Sequence, residues 1–88
     1  MGVTRAQAVF VLVKATLLHD ADPPEAQGVF KDVPNRYWAA PWIEYAFSKG
    51  LIDPVDTENF LFFPEMPISR AETIALMARV IGLQPANT

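Results

Sequence analysis

The chain has 88 residues and is 51% hydrophobic, with two Trp, six Phe and two Tyr, ten acidic side chains against seven basic ones, and no Cys. That limits it to one small domain and excludes disulfides, thiolate zinc sites and cysteine nucleophiles. A net charge of −3 with no basic run gives nucleic acid no counterion-releasing face.

A chain this short buries only about 60–65% of its unfolded surface. The apolar load therefore demands a dense aromatic core, or a partner that covers part of the surface. The first predicted helix runs from about Thr4 to about His19. Thr4 and Gln7 have the spacing of a capping box. Residues 9–13 are all apolar, which predicts a helix covered on most sides. Their β-branched content also permits a strand, but the cap and the length favour helix. The nearly charge-free stretch, residues 6–13, is far short of the roughly 20 residues needed to span a bilayer. The N-terminus shows no basic, apolar and small-residue series of a signal peptide.

Residues 21–29 read as a linker, because Pro23 and Pro24 stop a helix. Residues 30–35 are turn-rich. A second helix is predicted from about Trp38 to Ser48, with Pro41 in its first turn. Trp38, Trp42, Ile43, Ala46 and Phe47 form its apolar stripe, and Gly50 is its left-handed C′ residue. Residues 51–67 are irregular, with a short extended run at 60–63 ended by Pro64. A third helix is predicted from about Ser69 to Ile81, capped by Ser69 and Glu72 and closed by Gly82. Residues 84–88 are a tail.

Residues 3–7 and 68–72 match position by position, 65 residues apart, and Lys14 and Arg79 lie at the same offset. The chain thus reads as one whole repeat preceded by the last helix of another. Repeats of this kind bury their apolar faces against neighbours.

Four segments in order carry a resemblance to a known family: Phe30-x-Asp32-Val33-Pro34, Trp38-Ala39-x-x-x-Ile43-Glu44-x-Ala46, 49–52 and 67–72. Together they resemble an S-layer homology (SLH) domain, with Ser69-Arg70-Ala71-Glu72 similar to its Thr-Arg-Ala-Glu hallmark and residues 3–7 similar to the same hallmark of a preceding copy. The resemblance implies a mostly α, three-helix module with long loops and at most a very short strand pair near Phe60. Residues 1–20 are then the closing helix of a preceding repeat and residues 30–83 one repeat. It also implies a non-catalytic module at the cell surface. Such a module anchors proteins to acidic, pyruvylated-type wall polysaccharide, associates with neighbouring repeats or itself, and needs no cofactor. Residues 53–64 depart from the family pattern: Pro54 stands for a loop Gly and Phe63 for a basic residue. That points also to a second role, assembly with protein partners without glycan.

Arg5 and Arg70 each follow a helix cap, where a cation opposes the helix dipole by about 0.3–1 kcal/mol. An anion site would explain both, since free N–H groups and a guanidinium can grip a carboxylate. Pairing with a local acid such as Asp32 would explain them equally. Trp38 reads either as core or as a sugar-stacking ring, Asp32 as a turn residue or a ligand contact. Phe60, Phe62 and Phe63 read as a partner surface or as core packed under the helices. His19 is alone, and Asp53, Asp56 and Glu58 lack a calcium-loop frame, so no metal site is expected. No nucleophile–base set or phosphate loop suggests an enzyme.

Overall fold

The computed structural model describes residues 2–18 and 20–83; the expectations for His19 and for the tail at 84–88 lie outside them. Three helices, α1 (Arg5–Thr16), α2 (Ala40–Ser48) and α3 (Arg70–Leu83), are joined by long irregular segments. The described residues contain no strand. The strand pair expected near Phe60 reduces to an isolated bridge between Asp56 and Leu61, and a second bridge joins Thr4 to Pro67. No described helix is long and apolar enough to cross a membrane.

Helix α1 opens as its sequence dictates. The Thr4 hydroxyl accepts from the Gln7 N–H at 3.1 Å, and the Gln7 side chain accepts from the Thr4 N–H at 3.0 Å. The helix ends earlier than expected, with the Leu17 and Leu18 N–H groups both turned back to the Val13 carbonyl. One face is buried, through Arg5, Ala6, Val9 and Val13. Val11, on another face, is 59% exposed, so the helix is not covered on most sides as its apolar run suggested.

Helix α2 starts later than expected, and Trp38 precedes it. Ala39 is its N-cap without a side-chain hydrogen bond, and Pro41 lies in the first turn. Ala40, Ile43 and Ala46 bury one stripe. The C-terminus is a Schellman closure. The Leu51 N–H donates to the Ala46 carbonyl at 2.9 Å and the Gly50 N–H to Phe47 at 3.0 Å. Gly50 takes φ +75° to allow it. The Glu44 carboxylate accepts the N–H groups of Gln27, Gly28 and Val29, which ties the linker to α2.

Helix α3 repeats the capping box of α1, with the Glu72 N–H donating to the Ser69 hydroxyl at 3.0 Å. Leu76 and Val80 are its buried residues. Gly82 lies within this helix rather than closing it.

The core is aromatic. The Phe30 ring meets Phe47, Phe60 and Phe62 at centroid distances of 5.3, 5.1 and 5.5 Å. Edge-to-face and offset pairs in this range add roughly 0.5–1.5 kcal/mol each beyond their burial. Phe62 is 1% exposed, which corrects its reading as partner surface; Phe60 packs on the core and Phe63 is half-buried. The physical reason is Asp32. Its two carboxylate oxygens accept the Phe62 and Phe63 N–H groups at 2.9 and 2.7 Å, drawing this segment inward.

Candidate functional site

An open groove of about 270 Å³ lies between the start of α1, residues 51–55 and α3. Its charged lining is Arg5, Asp53, Glu72 and Arg79; Leu51, Val55 and Leu76 are among its apolar walls. The elements meet there for a local reason. The Arg5 N–H donates to the Met66 carbonyl at 2.8 Å and the Ala6 N–H to Pro64 at 2.9 Å, which seats the start of α1 against the entry to α3.

Arg5 is 6% exposed. Its Nε donates to the Phe62 carbonyl at 2.9 Å, and its guanidinium carbon stands 4.6 Å from the Phe62 ring centroid. Its Nη1 pairs with Glu72. A buried charge is tolerated only when paired and hydrogen-bonded in this way. The acid partner is thus Glu72 and not Asp32. Burial would raise the Glu72 carboxyl, but the Arg5 guanidinium and the Ser69 N–H outweigh it and hold the group below its usual range.

Arg79 crosses from α3 to the loop. Its Nη1 donates to the Leu51 carbonyl at 3.1 Å and to Asp53 at 3.2 Å. Both side chains of that pair are substantially exposed. The groove therefore presents two guanidinium groups, each matched by one carboxylate. A ligand carboxylate would meet a balanced site and would have to replace an internal acid.

The other expected site residues lie elsewhere. Arg70 is exposed at the start of α3 and does not line the groove. Trp38 is 51% exposed, edge-on to Phe10 at 5.5 Å, and also outside it. Asp32 spends both oxygens on backbone N–H groups. Arg79 and Asp53 are additions. The signal for Arg79 was present, because a cation recurs at that repeat offset; Asp53 is recognisable only once the chain folds back. Pro54 also lines the groove, where the family pattern has a loop Gly. Across the molecule, Tyr37 hydrogen-bonds Glu65; burial and that carboxylate push its hydroxyl up to about 12.

A family model described as the S-layer homology domain matches residues 29–74, more than half of the chain. The chain belongs to the S-layer homology domain family. Comparison with curated proteins gave no match. SLH domains are non-catalytic binding modules of cell-surface proteins and attach to the cell wall. The matched segment of this SLH chain includes the Asp32 turn, the groove residues at 51–55 and the start of α3, while α1 lies outside it. The seat that holds Arg5 is thus built largely from SLH-matched residues: Phe62, Pro64, Met66 and Glu72.

Proposed function

We propose that this SLH module anchors its protein to the wall by taking an acidic, pyruvylated-type polysaccharide into the groove between α1 and α3. The observation that carries the reading is the presence of two guanidinium groups, Arg5 and Arg79, on one sugar-sized groove. The exposed Arg79–Asp53 pair is of the kind worth about 0–1 kcal/mol, so a ligand carboxylate can replace Asp53 at small cost. A guanidinium can then hold that carboxylate by two parallel hydrogen bonds. Arg5 stays fixed by Glu72 and Phe62 with its charge matched by that carboxylate, so Arg79 is the cation that meets the ligand. Arg79 takes the place first expected of Arg70, and the half-exposed Val55 offers apolar surface to sugar C–H faces.

The test is cosedimentation with purified wall polysaccharide. The wild type should sediment with it, Arg79→Ala should bind about tenfold more weakly, and removal of the acidic substituents should abolish binding. Absence of wild-type sedimentation with every wall preparation, or equal binding by the variant, would overturn the reading. A second reading, assembly in the envelope without glycan, is favoured by the exposed apolar residues of α3.

A further inference from the structure

The two acids of the groove are held very differently. Glu72 is locked in place. It pairs with the buried Arg5, and its other oxygen accepts the Ser69 N–H and hydroxyl at 3.4 and 3.2 Å. Asp53 is held by one contact of 3.2 Å, and its side chain is 69% exposed. On the cation, a single nitrogen, Arg79 Nη1, carries both that contact and the 3.1 Å bond to the Leu51 carbonyl. Its Nε and Nη2 have no acceptor among the described residues.

Asp53 can release Arg79, but its backbone cannot carry it away. Leu51 and Ile52 before it are buried, and the Val55 N–H beyond it donates to the Leu61 carbonyl at 2.8 Å. Pro54 fixes its own φ and restricts the residue before it. A displaced Asp53 carboxylate therefore stays at the rim of the groove. The charged lining starts balanced, with Arg5 and Arg79 against Glu72 and Asp53. Once a ligand carboxylate occupies Arg79, the rim carries one uncompensated negative charge, and the lining holds no third cation to offset another. A second ligand anion within the screening distance of about 8 Å meets that charge directly.

We infer that Asp53 is a charge filter: it admits polysaccharides that bring one isolated carboxylate and disfavours wall polymers of phosphodiester type, in which every unit is charged. The inference rests on the anchoring function proposed for this groove and adds which acidic polymers enter it. Neutralising position 53 frees Arg79 of its internal competitor for both kinds of polymer. For a phosphodiester polymer it also removes the repulsion felt by the neighbouring units, so that polymer gains more.

The test compares the wild type, Asp53→Asn and Asp53→Glu in calorimetric titrations with purified pyruvylated wall polysaccharide and with poly(glycerol phosphate). The wild type should prefer the pyruvylated polymer. Asp53→Asn, which keeps the shape and removes the charge, should narrow that preference about three- to tenfold, and added salt should shrink the difference between the two proteins. Asp53→Glu, which keeps the charge, should retain the wild-type preference. Equal preference in the wild type and Asp53→Asn, or a preference lost equally in Asp53→Glu, would overturn the filter while leaving the anchoring function intact. Failure of all three proteins to bind the pyruvylated polymer would overturn both.

Discussion

The Asp32 carboxylate accepts two backbone N–H bonds, and through them it fixes the loop that places Phe62 in the core. Charge-assisted bonds of this kind are worth about 1.5–3 kcal/mol when broken at partly buried donors. Asp32→Ala should therefore lower unfolding free energy by about 2–4 kcal/mol in urea titration. Asp32→Asn, which keeps one oxygen acceptor, should lose roughly half of that. Glu72 makes a pH prediction. Its folded carboxyl titrates below the usual range, so the fold favours the ionised form. The stability it contributes is full above the ordinary Glu value of about 4.3 and is lost as pH falls through the lowered folded value. Glu72→Gln should thus destabilise the protein at neutral pH and flatten the acid limb of stability against pH. An unchanged acid limb would mean that the Arg5–Glu72 pair does not stabilise the fold.

Among the elements, the starts of α1 and α3 were the most legible, because a capping box is local chemistry: Thr4 with Gln7 and Ser69 with Glu72 need nothing beyond three residues of spacing. Gly50 was legible for the same reason, since a left-handed C′ residue is a local demand. Gly50→Ala should cost about 1 kcal/mol; no atom lies within 4 Å of the added methyl group, so the cost is backbone strain alone. The sequence could not tell which face of α1 is covered, because an all-apolar run at residues 9–13 has no polar side to mark solvent. The run at 60–63 was ambiguous for a related reason. Its side chains are sorted by Asp32 and by two left-handed residues, Phe60 at φ 56° and Phe63 at φ 58°, rather than by strand alternation. Phe62→Ala should cost about 3–5 kcal/mol as a core truncation. Phe63→Asn relieves a strained φ at a half-buried site and should leave stability equal or up to about 1 kcal/mol higher. Thermal unfolding of the two variants distinguishes these outcomes.

At the scale of the whole molecule, the apolar content that exceeds one small interior is divided three ways. One part forms the Phe30, Phe47, Phe60 and Phe62 cluster. A second part, Phe10 with Trp38 and Trp42, joins α1 to α2 by edge-to-face contacts. A third part, on the open faces of α1 and α3, is exposed in this chain. The family and the mostly helical fold were legible from the four segments between Phe30 and Glu72. The groove was not, because Arg5, Asp53 and Arg79 are separated by long stretches of chain and converge only when α1 is seated beside α3. Arg5 and Arg70 shared a sequence pattern but not a surrounding: Arg5 is buried against Glu72 and Phe62, whereas Arg70 is exposed. The groove between α1 and α3 is where the account places the wall glycan, and backbone amide chemical-shift mapping with purified acidic wall polysaccharide tests it most directly. The account predicts the largest shifts at residues 51–55, at Glu72 and at Arg79, with the Arg70 and Trp38 amides unmoved. Shifts centred on Trp38 or on the Ile74 face of α3, or no shifts at all, would contradict it.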